Sequence, residues 1–166
     1  MPSRSDSRPV PTPAFPLATL PRTEGGALLS LARSLAAGGG APALRGRNLA
    51  LVCEEDNADT ALLRRAATGL GMQVARIRPA LGAGSSPRDI EETARVLGRL
   101  YAAVEWPGMP LAMLEQVARG AGVPVYDGMS SAGHPLAQLA GQLPGEASHE
   151  DKRCLLLQAV LVGTLS

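Results

Sequence analysis

Acidic residues form a dense group just after the first apolar run that is short enough to be a strand. Glu54, Glu55 and Asp56 are followed closely by Asp59. Carboxylate oxygens bind hard cations such as Mg²⁺, so the group is a candidate metal site. The same side chains would also stabilise the positive end of a helix that begins near residue 58. Because the spacing matches no known metal-binding loop, we favour the helix-capping role and predict no metal here.

Two loops of small residues resemble phosphate-binding or catalytic loops but lack their essential residues. The segment GAGSS at 82–86 has neither the Gly-Lys-Ser of a P-loop nor the dinucleotide pattern. The segment GMSSA at 128–132 has Ala132 where a nucleophile elbow requires glycine. Cys53 and Cys154 have no histidine nearby in the sequence and are expected to be reduced, buried thiols. We therefore predict no cofactor.

Composition excludes several classes of protein. The chain has 166 residues, of which 45% are hydrophobic, 19% charged and 2% aromatic, with a formal net charge of +1. A chain with so few aromatic residues and no basic excess is not expected to bind nucleic acid. No secretory signal is recognised, and the apolar run at 154–165 is shorter than the roughly 20 residues that span a bilayer. We expect no membrane association and a cytoplasmic location.

Apolar periodicity predicts alternating strands and helices that would position these loops. Strands are expected at 49–53, 73–77, 102–106 and 122–126, and helices at 27–37, 58–70, 87–100, 111–120, 134–143 and 148–165. Ser86, Pro87 and Asp89 form a capping box with proline in the first turn. This alternation predicts an α/β fold of three layers, with a parallel sheet of about four strands and helices on both faces. Ligands of such sheets bind at the carboxyl ends of the strands.

Several segments resemble the carbamoyl-phosphate domain of the ornithine and aspartate carbamoyltransferase family. These segments are LRGRNLALV at 44–52, PRDIEETARVLGRL at 87–100, GVPVYDG at 122–128 and HPLAQLA at 134–140. The final segment, 150–166, resembles the carboxyl-terminal helix of the family, which packs back on this domain. No counterpart of the family's amino-acid-binding domain is recognised. The resemblance implies a carbamoyl-phosphate-binding-type domain at 23–147 and a returning helix at 148–166. Before them, the six prolines at 1–22 predict a disordered tail.

The resemblance also implies site residues, and most of them have changed. The family's phosphate-binding Ser-Thr-Arg-Thr-Arg corresponds to Asn57-Ala-Asp-Thr-Ala61, which keeps only Thr60. Its His-Pro-Cys-Gln corresponds to His134-Pro-Leu-Ala, with Gln138 one position later. His134 is a relic of the catalytic histidine, or a structural residue at a helix start, and we favour the structural role. Candidate substrate-binding residues are Asn57, Thr60, Arg88 and Gln138.

These changes predict a carbamoyltransferase-like domain that is more a pseudoenzyme than an enzyme. The leading hypothesis is a binding or assembly subunit that forms a homo-oligomer, a trimer by family resemblance, or associates with a full-length carbamoyltransferase. The first alternative is a carbamoyltransferase subunit of amino acid metabolism, which binds carbamoyl phosphate or another small anion and completes its site with a partner chain. The second alternative is a sensor of a small ligand or metal that uses the acidic loop.

Overall fold

Strands and helices alternate along the chain as the apolar periodicity predicts. The computed structural model describes residues 14–15, 22–38 and 42–165, with side chains for 25–38 and 42–165. The strands are β1 Ala14–Phe15, β2 Asn48–Val52, β3 Gln73–Ile77, β4 Ala103–Glu105 and β5 Val125–Tyr126. The helices are α1 Arg22–Ala36, α2 Ala58–Gly69, α3 Pro87–Leu100, α4 Leu111–Ala121, α5 Pro135–Ala140 and α6 His149–Leu165.

The strands form one parallel sheet in the order β1-β5-β4-β2-β3. In the centre, β2 pairs with β4 on one side and with β3 on the other. The predicted α/β class is confirmed, and β1 adds a short fifth strand to the expected sheet. Parallel strands joined by helical crossovers place all their carboxyl ends on one edge of the sheet.

The structure differs from the predicted disordered tail at Ala14–Phe15. These two residues pair with Val125–Tyr126 of β5, so part of 1–22 is a strand at the edge of the sheet. Pairing there covers backbone groups of β5 that would otherwise be unpaired on that side. The remaining tail residues, 1–13 and 16–21, lie outside the described residues.

Helices cover both faces of the sheet, because side chains of a strand point alternately to opposite faces. On β2, Leu49 and Leu51 belong to a core shared with α1, α2, α5 and α6. Ala50 and Val52 belong to a second core, shared with α3 and α4. Both faces of β2 are therefore buried, as is usual for a parallel sheet.

The last helix packs on the larger of these two cores. α6 contacts α1, α2 and α5, and Leu156, Leu157 and Leu161 are almost fully buried. Near its end, the hydroxyls of Thr164 and Tyr126 are 2.5 Å apart, which joins α6 to β5. Over the part of the chain that is described, no helix is long and apolar enough to cross a bilayer.

Candidate functional site at the carboxyl edge of the sheet

Three loops meet the carboxyl edge of the sheet, at 53–57, 106–110 and 127–134. They follow β2, β4 and β5, which are adjacent strands in the sheet. Turns with positive φ occur in two of them, at Gly108 (φ 78°) and Gly128 (φ 64°). Glycine adopts this conformation without the steric cost that a Cβ would add. These loops hold most of the residues singled out in the sequence.

Asn57 and Thr60 are both engaged in capping α2. The Asn57 backbone N–H donates to Thr60 Oγ1 at 2.8 Å, and the Thr60 N–H donates to Asn57 Oδ1 at 2.9 Å. This is a reciprocal capping box at the start of the helix. Thr60 is 2% exposed, and its hydroxyl lies 3.0 Å from the carbonyl oxygen of Asn57. Two of the four candidate substrate-binding residues therefore already have partners in their own helix turn.

The acidic loop after β2 is neutralised by arginines. Asp56 lies 3.4 Å from Arg64 Nη2 and 3.8 Å from Arg76 Nε. Arg76 also donates to the carbonyl oxygen of Glu54 at 2.6 Å. Among the residues that are described, no group of three or more His, Cys, Asp or Glu is placed to hold a metal ion. The Asp56 carboxylate thus forms ordinary surface ion pairs.

A buried carboxylate links the loops after β4 and β5. Glu105 is fully buried, and its two carboxylate oxygens accept the backbone N–H groups of Gly128 and Met129. Burial raises the pKa of Glu105 to about 8; the two N–H bonds oppose this shift, and the nearby charge of Asp127 adds to it. Asp127 in turn accepts the Gly108 N–H at 2.9 Å, a second contact between the same two loops.

His134 caps the short helix α5. Its Nδ1 accepts the Leu136 N–H at 3.1 Å, so the neutral ring carries its proton on Nε2. The residue is 4% exposed, and burial lowers the pKa of the imidazole to about 4. No other described residue forms a hydrogen bond with Nε2. At neutral pH the ring is an uncharged hydrogen-bond donor.

Arg153 of α6 joins the loop before His134 to the first turn of α2. Its Nη2 donates to the Ser130 carbonyl oxygen at 2.6 Å and lies 3.6 Å from Asp59 Oδ1. The Arg153 side chain is 17% exposed, and the Asp59 side chain is 40% exposed. The Arg153 guanidinium of the last helix thus lies at the start of α2, where it forms an ion pair with Asp59.

The other two candidate residues lie apart from these contacts. Arg88 is exposed in the first turn of α3, on the opposite face of the sheet from α2, and pairs with Glu92 at 3.2 Å. Gln138 is exposed on α5, where its carbonyl oxygen accepts the Gly141 N–H. The structure brings Asn57 and Thr60 into direct contact, and it gives Arg88 and Gln138 no bond to either of them.

Sequence reasoning missed Glu105 and Arg153. Glu105 stands at the end of an apolar strand segment in the sequence. A charged residue at such a position requires buried hydrogen-bond donors, which is a recognisable signal. The pairing of Arg153 with Asp59 depends on the tertiary fold, and no local sequence pattern predicts it.

Comparison with known proteins identifies relatives among the ornithine carbamoyltransferases. The chain is 36% identical over 130 residues to the catabolic ornithine carbamoyltransferase of Burkholderia mallei, covering 75% of this chain and 38% of the relative. It is 34% identical over 141 residues to the ornithine carbamoyltransferase of Haemophilus influenzae, covering 82% and 42%. No family model matches the chain.

The fold is similar to solved structures of the same enzymes. The crystal structure of ornithine carbamoyltransferase from Gloeobacter violaceus aligns with a TM-score of 0.58 at 29% identity, covering 81% of this chain and 43% of that one. The predicted resemblance is confirmed. The chain spans about two fifths of the length of these relatives, so the match is to one part of the larger proteins.

Proposed function

Because the chain is related in sequence and fold to one part of the ornithine carbamoyltransferases, we propose that it is a degenerate carbamoyltransferase-like domain. In this proposal it has lost catalytic activity and serves as a binding or assembly subunit, in the cytoplasm. The observation that carries the proposal is the start of α2. Asn57 and Thr60 cap each other there, and Asp59 pairs with Arg153 at 3.6 Å.

Charge at this position argues against a bound phosphate. By family resemblance, arginines would stand at positions 59 and 61, where a phosphate accepts their hydrogen bonds together with those of the helix N-terminus. This chain has Asp59 and Ala61. The carboxylate of Asp59 repels an anion and also competes with it for Arg153. The N-terminus of α2 alone is a weak site for a doubly charged group.

Calorimetry with carbamoyl phosphate, carried to millimolar ligand, tests the proposal. The unchanged protein is expected to give no saturable heat. The double variant Asp59→Arg, Ala61→Arg restores the family's two cations and is expected to gain binding. Asp59→Ala is the matched control, because it removes the repelling charge without supplying a guanidinium. Saturable binding by the unchanged, folded protein would overturn the proposal.

One observation favours the alternative, a carbamoyltransferase subunit whose site is completed by a partner chain. His134 is buried and neutral at pH 7, and its Nε2–H is available to polarise a carbonyl oxygen. Asn57, Thr60, Arg88 and Gln138 would bind carbamoyl phosphate or another small anion in this alternative. Transfer activity that His134→Ala and Thr60→Ala both abolish would favour it, whereas activity unaffected by either would remove these residues from the site.

The surface of α3 supports the assembly role. Val96 and Leu100 are 54% and 59% exposed, one helical turn apart. They border a shallow cavity of about 350 Å³, which Ile77, Leu97 and Tyr101 also line. Exposed apolar patches on soluble proteins commonly mark interfaces. A homo-oligomer, which the family resemblance implies to be a trimer, or a complex with a full-length carbamoyltransferase would cover this surface.

The contacts of the acidic loop do not support the second alternative, a sensor that binds a metal there. The Asp56 carboxylate faces Arg64 and Arg76. A divalent cation would compete with both guanidinium groups for this carboxylate.

A further inference from the structure

Glu105 is a buried carboxylate with no cationic partner among the described residues. Its side chain has no solvent exposure, and it forms no ion pair with any of them. Within this part of the chain, its charge is met by two backbone donors, the N–H groups of Gly128 and Met129. Both donors belong to the loop that ends at His134. A buried charge without a counter-ion is costly, so its protonation state is unusually sensitive to its surroundings.

The two protonation states of Glu105 do not make equally strong contacts. An ionised carboxylate is an acceptor at both oxygens and satisfies both N–H groups. In a protonated carboxyl the hydroxyl oxygen is a weaker acceptor, and its O–H requires an acceptor of its own. The hydrogen bond to one of the two loop amides is therefore weaker when the proton is bound. An N–H on each oxygen is the arrangement that the ionised form satisfies best.

We propose that Glu105 is a proton-controlled contact that positions the loop at 127–134. Its ionised form holds Gly128 and Met129 against the edge of the sheet, and its protonated form weakens the hydrogen bond to one of these amides. His134 lies at the end of this loop, so its position changes with the state of Glu105. Glu105 is a positioning residue in this proposal. The device acts on the loop itself and does not depend on whether the chain binds carbamoyl phosphate.

The groups that face Glu105 favour its protonation within a physiological range of pH. Asp127, next to the loop amides, raises the pKa of Glu105 with its negative charge. Burial raises the pKa of Tyr126, which stays neutral throughout. On the other side β4 pairs with β2, where Leu51 lies opposite Glu105 and carries no charge.

Arg153, which contacts this loop, does not pair with Glu105. Arg153 of α6 binds the Ser130 carbonyl oxygen and Asp59. His134 is already neutral above about pH 5, because burial lowers its pKa to about 4, so it does not titrate in the same range.

Amide NMR spectra recorded from about pH 5 to about pH 9.5 test the proposal on the whole chain. The Gly128 and Met129 signals are expected to shift with one common midpoint near pH 8. Glu105→Gln, a neutral side chain of the same shape, is expected to abolish that shift. Asp127→Asn is the second variant, and it is expected to move the midpoint to lower pH because it removes a neighbouring negative charge.

Two outcomes would overturn the proposal. One is no shift of these amides between about pH 5 and about pH 9.5, which is the result expected if Glu105 kept the ordinary glutamate pKa of about 4.3. The other is a shift that persists in Glu105→Gln, which would assign it to another group. If Glu105→Gln does not fold, the unchanged protein and Asp127→Asn still test the proposal. An equal midpoint in these two proteins would count against Glu105, because loss of the Asp127 charge should lower its pKa.

Discussion

At the scale of single residues, the polar side chains at the start of α2 bond to one another and to α6. The side chains of Asn57 and Thr60, which the family resemblance placed in a phosphate site, bond to each other's backbone N–H. Arg153 reaches Asp59 from α6, so the charge of the changed residue has a partner. What remains at this position stabilises the helix and leaves few free donors for a ligand.

Replacing Asn57 with alanine tests the capping role. Asn57→Ala removes the acceptor of the Thr60 N–H and should lower the free energy of unfolding by about 1 kcal/mol. Asn57→Asp keeps an acceptor oxygen at the same place and should cost much less. Urea denaturation of the two variants and the unchanged protein measures the difference. Equal losses from both substitutions, or none from either, would show that the cap does not stabilise the helix.

At the scale of secondary structure elements, α3 and α4 pack with their backbones in close contact. A Cβ added at Gly98 of α3 would lie 1.9 Å from the Ala121 carbonyl oxygen of α4. At Gly120 of α4, an added Cβ would lie 2.8 Å from the Ala94 Cβ. Glycine at these positions therefore sets the distance between the two helices that cover one face of the sheet.

Gly98→Ala should force α3 and α4 apart and reduce stability by about 1–3 kcal/mol, the usual cost of overpacking. Gly26→Ala is the matched control, because Gly26 is also in a helix and an added Cβ there meets nothing within 4 Å. That variant should be neutral, or more stable by up to about 1 kcal/mol. Thermal unfolding of both variants provides the measurement. A Gly98→Ala protein as stable as Gly26→Ala would contradict the close packing.

The sequence predicted the elements better than the site. Strand and helix order follow from local periodicity, and the capping box at Ser86 and Asp89 is present as expected. β1 was not predicted, because two residues among prolines carry no periodicity and their pairing with β5 is a tertiary contact. The contacts of Glu105 and Arg153 join residues that are far apart in the chain. Their roles depend on the sheet order, which a local pattern does not specify.

At the scale of the whole molecule, the exposed face of α3 is the surface with the strongest indication of a partner. Val96→Glu places a charge in the middle of that face and should dissociate an oligomer held together there. Leu111→Glu is the control, because Leu111 is 55% exposed, as Val96 is at 54%, but lies outside the cavity. Light scattering after size exclusion measures the mass of each. A monomeric unchanged protein, or an oligomer that persists in Val96→Glu, would exclude this surface as the contact between copies.

The two cores on opposite faces of the sheet have the strands β2, β4 and β5 in common, and β2 contributes the most residues to each. β2 contributes Leu49 and Leu51 to one core and Ala50 and Val52 to the other. Either helical layer can in principle open while the other stays closed, because each has its own buried set. Loss of the shared strands would disrupt both cores at once. The sheet therefore couples the two layers in unfolding, and local opening of the layer on either side is the motion that this architecture permits.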